Sequence, residues 1–340
     1  MSVTIGDVAR AAGVSRSTVS KAFGSKGFVS PATKARVVRV AAELNYRPSH
    51  IARSLSLGTS RLIGVVATPS ILTVFENFVQ PIEQAIRDAG YSLLLYTSSG
   101  DPESERLCLV DLIQKRVDGV IAIPSSNPAD IEAYRDVVDS GIKLVVLDRC
   151  VEGLMVPQVG GDDYEAGRLA TGYLIGLGHR RIVYLAIPRT SSSGHNRARG
   201  FFDAMAAAGI PVSGSSVVET GFGERYGEEA MESLRARGVL PTGIIARHDL
   251  NAIGVMRAAL AAGLSVPGDI SIVGNADISL ADMIRVPLTT VRHPSRQMAV
   301  TGVARLLEML AGNVVEPVIT RLPVQLVVRS SCGAPRPEII

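Results

Sequence analysis

The chain has 340 residues and a net charge of +3, and 46% of its residues are hydrophobic, with no tryptophan. That length provides for two or three domains, and apolar runs such as Leu62–Ala67 are too short to span a bilayer. The amino terminus lacks the apolar segment of a secretory signal, and the three cysteines are too few and scattered for a disulfide scaffold, so we expect a cytoplasmic protein.

The positive charge is concentrated at the amino terminus. Residues 1–60 contain nine lysines and arginines against Asp7 and Glu43, a net charge of +7, so the remaining residues carry −4. A basic segment on a mildly acidic body is typical of a protein that binds a polyanion. Charge alone leaves both nucleic acid and a membrane surface open.

Three short helices are predicted in residues 1–46, each with an N-terminal cap. The predicted caps and helices are Thr4 with Asp7 as a capping box, Ser15 before Arg16–Phe23, and Ser30 before a helix from Pro31 to about Leu44. Gly13 ends the first helix, so a tight turn separates it from the second. This order is the helix-turn-helix arrangement, in which the second helix enters the DNA major groove.

The second helix carries the candidate DNA contacts. Arg16, Ser17 and Lys21 are the predicted base-reading residues, because such donors pair with base edges in the major groove. Short hydroxyl side chains are suited to phosphates. The complete predicted set is Thr4, Ser15, Arg16, Ser17, Thr18, Ser20 and Lys21. The alternative is a small three-helix domain with a solvated basic face.

Residues 47–60, RPSHIARSLSLGTS, join this head to a long body. Pro48 is tolerated in a first helical turn, and the segment after it provides about two turns, too few for a helix that is stable alone in water. Two interpretations follow: an ordinary polar linker, or a helix that forms only with a partner and acts as a switch.

Residues 3–46, VTIGDVARAAGVSRSTVSKAFGSKGFVSPATKARVVRVAAELNY, resemble the DNA-binding head of the LacI/GalR family of bacterial transcription regulators. The following RPSHIARSLSLGTSRLIGVV is similar to that family's hinge helix and first strand. The resemblance implies a homodimeric repressor on a pseudo-palindromic double-stranded DNA operator. It also implies that Leu55, with Ala52 and Arg53 beside it, is an apolar wedge in the minor groove.

Residues 61–340 alternate between strand-like and helical patterns, which predicts parallel α/β sheets covered on both faces. Strands are predicted at 62–67, 92–96, 119–123, 144–147, 182–186, 217–219, 243–246 and 270–273. Helices are predicted at 75–89, 102–115, 131–140, 164–178, 196–208, 226–237 and 252–262. Two series of units break near Asp162 and resemble the two-lobed type I periplasmic-binding-protein fold. We expect one lobe at about 61–161 and 288–322, and the other at about 162–287 and 323–340.

A small-molecule effector is expected between the lobes, beyond the carboxyl ends of the strands. The resemblance implies that Phe75 packs on the ligand, although it is equally suited to the core, and that Arg149 points into the cleft. Arg197, in the pattern RARGF, is implied to fork onto ligand oxygens; the alternative is a surface salt bridge. Ser191 and Ser193 precede it and are assigned to the cleft.

Two positions depart from the family pattern. His248 stands where asparagine or glycine is common, with Asp249 after it. Ala276 replaces an aspartate that grips sugar hydroxyls, and Asp277 follows it. With Arg149, Arg197 and His248 kept, the pocket is expected to be positive, which favours a sugar acid or a phosphorylated sugar over a neutral sugar and implies a role in carbohydrate metabolism.

Other functions lack support in the sequence. GYLIGLG lies inside a helical pattern and is not a dinucleotide fingerprint, and the five histidines show no metal-ligand spacing. No nucleophile elbow or phosphate loop is present, so we expect neither an enzyme nor a cofactor. The non-regulatory alternative, a soluble solute-binding protein, is disfavoured by the basic head.

Overall fold

The computed structural model describes residues 3–23, 28–46, 59–125, 131–187, 191–214, 216–238 and 240–336. Contacts within the chain define two compact units, which we describe separately. The first comprises residues 1–62 with 116–118, and the second comprises 63–115 with 119–340.

The first unit contains the predicted three-helix head. Its helices are α1 (Ile5–Ala12), α2 (Arg16–Phe23) and α3 (Pro31–Glu43). The capping box is confirmed, since the amide of Asp7 donates to the Thr4 hydroxyl and the Asp7 carboxylate accepts from the Thr4 amide at 2.9 Å. The Ser30 cap on α3 is also confirmed. Val8, Val19 and Val37 are fully buried and join the three helices in one small core.

The second unit contains two six-stranded sheets with the same pattern of strand order, which confirms the predicted architecture. The first sheet is ordered β11-β5-β4-β3-β1-β2 and the second β12-β10-β9-β8-β6-β7. The paired strands are parallel except for β10 and β12. The first sheet comprises β1 (Leu62–Ala67), β2 (Ser92–Thr97), β3 (Gly119–Ala122), β4 (Lys143–Leu147), β5 (Gln158–Gly161) and β11 (Ile319–Leu322). The second comprises β6 (Ile182–Ala186), β7 (Val217–Glu219), β8 (Gly243–Ala246), β9 (Ser271–Ala276), β10 (Thr289–Arg292) and β12 (Gln325–Val327).

Helices cover both sheets. The first lobe has α4 (Val79–Asp88), α5 (Pro102–Gln114), α6 (Ile131–Asp139) and α12 (Ser295–Leu310). The second lobe has α7 (Asp163–Gly176), α8 (Ser192–Ala207), α9 (Glu224–Ala236), α10 (Asp249–Ala261) and the short α11 (Leu280–Met283). Apolar strand residues such as Val65 and Ile272 are fully buried beneath these helices. Among the described helices, none is long and apolar enough to cross a membrane.

The sequence predicted that the chain crosses back to the first lobe at about Leu288. In the structure the crossing lies later in the chain. Thr289–Arg292 pairs with the preceding strand, with Thr289 opposite Val273, and so belongs to the second sheet. The crossing falls instead between β10 and α12, because Met298 and Val303 of α12 pack in the core of the first lobe. Two short strands of the first sheet, β5 and β11, were not predicted.

The helix predicted at 75–89 is wrong in its first four residues. Residues Pro69–Asn77 form 3-10 turns interrupted at Val74, and α4 begins only at Val79. Pro81 explains the break, since a proline lacks the amide hydrogen needed in a helix interior and is tolerated only in a first turn. In the other direction, α10 begins three residues before the predicted Ala252, because His248 caps it.

Close contact between α7 and α8 fixes one side of the second lobe. A methyl group on Gly167 of α7 would overlap the carbonyl oxygen of Arg197 on α8, and one on Gly200 would overlap the carbonyl oxygen of Tyr164. The pair α9 and α10 approaches in the same way at Gly227 and Gly254. These glycines are therefore required by the distance between the helices.

We expect Gly167→Ala to lower the free energy of unfolding by about 1–3 kcal/mol, because the helices must separate to admit the methyl group. Gly172→Ala is the matched control on the same helix, where an added methyl group meets no atom within 4 Å. That control should stabilise the protein by up to about 1 kcal/mol through helix propensity. Urea unfolding of both variants tests this, and equal effects would contradict the close-contact explanation.

Candidate functional site

The predicted base-reading residues lie on the exposed side of α2. Arg16, Ser17 and Lys21 are all exposed, whereas Val19 and Ala22 of the same helix are buried. The helix therefore presents one polar surface and packs with the other. The predicted contacts Ala52, Arg53 and Leu55 lie outside the described residues.

Hydroxyl groups are clustered at the start of α2. The Ser15 hydroxyl accepts the amide of Thr18 at 3.1 Å and lies 2.7 Å from the Ser17 hydroxyl. Ser20 is exposed one turn further along the helix. Thr4, which was predicted to contact DNA, also has a structural role, because its hydroxyl belongs to the capping box of α1.

Arg16 lies across the first turn of α1. A methyl group on Gly6 would come within 3.0 Å of the Arg16 Nη2 atom and 3.1 Å of its Nε atom. Hydrogen bonds from Thr4 lower the pKa of Asp7, with smaller contributions from Arg10 and Arg16, so the Asp7 carboxylate is ionised near this guanidinium.

A central cleft lies between the two lobes, where the carboxyl ends of both sheets face each other. Residues from both lobes line it, and most of them follow directly after a strand. They are Ser70, Val74, Phe78, Asp148, Arg149, Ile187, Arg197, Phe222, Arg247, His248, Asn275, Ala276, His293 and Ser295. The cleft therefore occupies the place where parallel α/β sheets bind ligands.

Arg197 lies in the cleft but is already paired. Its Nε and Nη2 atoms contact Oδ1 of Asp163 at 2.9 and 2.8 Å, and its Nη1 donates to the carbonyl oxygen of Arg247 at 3.1 Å. Burial would raise the pKa of Asp163, but Arg197 holds it below its usual range, so the carboxylate is ionised. The charge of Arg197 is thus largely neutralised, and most of its donors are occupied by protein.

Arg247 is the least compensated cation of the cleft. Its side chain is buried and donates to the carbonyl oxygen of Thr220. Among the described residues no carboxylate forms an ion pair with it. Burial, followed by the charges of Arg149 and Arg197, lowers the pKa of Arg247 to about 10. A bound anion would relieve this repulsion.

Arg149 faces the cleft from the first lobe, as predicted. Its Nη1 donates to the carbonyl oxygen of Pro124 at 2.7 Å, and its Nε lies 4.0 Å from Asp148. The contact with Asp148 is at the limit for an ion pair. Arg149 and Arg247 therefore bring positive charge from opposite lobes.

His248 is neutral, contrary to its predicted contribution to the positive charge. Burial, together with the nearby Arg197 and Arg247, lowers its pKa to about 3. Its Nδ1 accepts the amide of Leu250 at 3.2 Å, so Nε2 carries the hydrogen and faces the Thr73 hydroxyl at 3.3 Å. This contact joins the second lobe to the first.

His293 is the second histidine of the cleft. Burial and then Arg197 lower its pKa, opposed by Asp163 and Asp148. Its Nε2 lies 3.2 Å from the Asn275 side-chain oxygen. With both histidines neutral, three arginines face two carboxylates, Asp148 and Asp163, so the cleft keeps a net positive charge.

Five predicted effector residues are not among those that line the cleft: Phe75, Ser191, Ser193, Asp249 and Asp277. Phe75 is 46% exposed on the 3-10 segment, and the aromatic rings that line the cleft belong to Phe78 and Phe222. Asp249 is fully buried and accepts from the Ile278 amide and the Thr290 hydroxyl.

Asp277 binds Arg292 and Arg329 at 2.6 and 2.7 Å, so it connects elements of the second lobe. The two predicted serines also support the structure. Ser191 caps α8 by accepting the Gly194 amide at 3.0 Å, and Ser193 bonds to Asp163. Ser193 is therefore connected to the cleft through Asp163, the partner of Arg197.

Sequence reasoning missed Arg247, Phe222, Asn275 and His293. Their positions could have identified them, because each residue lies at or shortly after the end of a strand of the second sheet, at the edge where a ligand is expected. Arg247 directly precedes His248, which was identified. No group of three or more potential metal-ligating side chains is present among the described residues.

Comparisons with known proteins find two regions of the chain that match known families. Residues 4–49 match the family described as bacterial regulatory proteins of the lacI family, and residues 171–332 match a periplasmic binding protein-like domain. The chain is 33% identical over 333 residues to an HTH-type transcriptional repressor PurR of Pasteurella multocida (strain Pm70), which covers 96% of this chain and 98% of that protein.

Two solved structures extend the likeness to three dimensions. The lac repressor dimer bound to operator and the anti-inducer ONPF is 29% identical, with a TM-score of 0.86 over 98% of this chain and 100% of that one. A sugar-binding LacI-family regulator from Escherichia coli complexed with phosphate is 26% identical, with a TM-score of 0.70 over 82% of this chain and 100% of that one. The likeness includes both the head and the two lobes.

We expect the neutral state of His248 to make folding acid-sensitive. The folded-state pKa of about 3 lies below the ordinary value of 6.5, so between these values the unfolded chain binds a proton that the folded chain does not. His248→Asn replaces the capping Nδ1 with a capping oxygen that does not titrate. The wild type should lose stability relative to this variant as pH falls from 6.5 towards 3, measured by urea unfolding at each pH. Parallel curves would contradict the assignment.

Proposed function

The chain belongs to the LacI family of bacterial regulatory proteins, and we propose that this DNA-binding repressor is controlled by a small anionic molecule bound in its central cleft. The observation that carries the proposal is Arg247, a buried guanidinium with two arginine neighbours and no carboxylate partner among the described residues. A buried cation of this kind is costly unless an anion compensates it.

The favoured effector is a sugar acid or a phosphorylated sugar. Its charged group would meet Arg149 and Arg247, since arginine matches carboxylate and phosphate oxygens with two parallel donors. Its hydroxyls would meet Asn275, Asp148 and the neutral His293. The alternative is a neutral heterocycle, such as a purine base, packed against the ring of Phe222; this ligand would leave the arginines uncompensated.

Binding at these two arginines would act on the arrangement of the lobes, because Arg149 belongs to the first and Arg247 to the second. The Thr73 contact with His248 and the 3.0 Å hydrogen bond from Ser192 to the Cys150 carbonyl also join the lobes. An effector that strengthens these contacts between the lobes shifts the population towards the arrangement in which they form. The paired lobes of a homodimer would carry that shift to the DNA-binding heads.

The head would read the operator through Arg16, Ser17 and Lys21, with Ser15, Thr18 and Ser20 on phosphates. One head contacts few base pairs, so two heads would bind a pseudo-palindrome. Such binding takes place in the bacterial cytoplasm. A gel-shift assay on genomic fragments discriminates this function from solute binding alone, because operator binding is specific and weakens steeply with salt.

A calorimetric panel of glucose, gluconate, glucose 6-phosphate, 6-phosphogluconate and purine bases tests the effector class. We expect anions to bind and Arg247→Ala to weaken them by about 10-fold or more, since a charged hydrogen bond contributes about 1.5–3 kcal/mol. Arg237→Ala, on an exposed helix end, is the matched control. Tight binding of glucose or a purine base, with no binding of the anions, would refute the proposal.

We expect Leu55→Ala to weaken operator binding by at least about 10-fold, because the smaller side chain cannot hold a base step open. Effector affinity should stay unchanged, which the same calorimetry measures. Fluorescence anisotropy with a labelled operator gives the DNA affinity. If that affinity barely changes, the segment 47–60 is an ordinary linker.

A further inference from the structure

The first lobe contains a buried carboxylate that the proposed function does not use. Glu105 lies in the first turn of α5 and is 3% exposed. An acidic side chain at such a position is rare unless it is paired or hydrogen bonded. Its partners therefore indicate what it does.

Both partners of Glu105 are themselves buried. The Ser125 amide donates to its Oε2 atom at 2.6 Å, and the Tyr134 hydroxyl of α6 donates to its Oε1 atom. Burial raises the pKa of Glu105, while these hydrogen bonds and the charge of Arg149 oppose the rise. The carboxylate thus joins α5 and α6 to the turn that follows β3.

That turn contacts the cleft through Pro124, the residue before Ser125. Ser125 follows Pro124, whose carbonyl oxygen accepts Arg149 Nη1 at 2.7 Å. The start of the turn is held by the Ile123 amide, which donates to the Val66 carbonyl at 2.8 Å. Glu105 holds its other end, so the Pro124 carbonyl is fixed between two anchored residues.

We infer that Glu105 is a positioning residue for effector binding: it fixes the 123–125 turn and thereby holds the Arg149 guanidinium in the cleft. The inference rests on the proposed anionic effector. Glu105 touches no ligand; it acts through Ser125 and Pro124. Its negative charge also lies within electrostatic reach of Arg149, which further favours one orientation of that side chain.

A double-mutant cycle tests this, with 6-phosphogluconate as the probe. Calorimetry on the full-length protein measures its binding to each variant. We expect Glu105→Ala and Arg149→Ala each to weaken binding by about 10-fold, and the double variant to bind no more weakly than Arg149→Ala alone. Fully additive losses would overturn the inference, because they would mean that Glu105 acts independently of Arg149.

Two further variants separate positioning from a general loss of structure. Glu103→Ala removes an exposed carboxylate on the same helix that pairs with Arg106, and it should leave binding unchanged. Glu105→Gln keeps the volume and one acceptor oxygen, so it serves if Glu105→Ala does not fold, and it should weaken binding less than Arg149→Ala. Unchanged binding in Glu105→Gln and Glu105→Ala would refute the role.

Failure of the proposed function is distinguishable from failure of this inference. If the wild type binds none of the anions in the panel, the effector class is wrong. Crystal structures of the ligand-free wild type and of Glu105→Ala or Glu105→Gln then decide: displacement of Arg149 from the Pro124 carbonyl supports the positioning role, and an unmoved Arg149 overturns it.

Discussion

The buried ion pair between Asp163 and Arg197 determines which charges the cleft can offer to a ligand. It joins the first turn of α7 to the second turn of α8, two helices that approach closely at Gly167 and Gly200. Because these backbones are in contact, the distance between carboxylate and guanidinium is set by the fold. Arg197 therefore reaches the cleft with most of its charge already balanced, and a ligand must find its cationic partner elsewhere.

In the proposed function Arg149 and Arg247 fill that role from opposite lobes, and the two neutral histidines limit the positive charge around them. The difference in charge between the arginines and the histidines has a physical cause. A guanidinium keeps its charge when it is buried, whereas an imidazole next to arginines loses its proton. The same surroundings thus produce three cations and two neutral hydrogen-bonding groups. A charged group that bridges the two arginines would couple ligand binding to the spacing of the lobes.

Much of the fold could be predicted from the sequence, because its signals are local. The Thr4–Asp7 capping box, the buried strands and the alternation of strand and helix depend on neighbouring residues. The misassigned helix at 75–89 had a local signal too, in Pro81. The site was harder. Arg247 precedes His248 in the sequence, but nothing local indicates that His248 is buried beside Arg197 as well, and nothing near Arg197 indicates that Asp163 pairs with it, since those contacts arise only when distant segments fold together.

The most direct test of this account is a crystal structure of the protein soaked in inorganic phosphate. The account predicts phosphate between Arg149 and Arg247, with both guanidinium groups turned towards it and the pair Asp163–Arg197 intact. Phosphate bound to Arg197 after displacement of Asp163, or a cleft without phosphate in which Arg247 still donates to the Thr220 carbonyl, would contradict it.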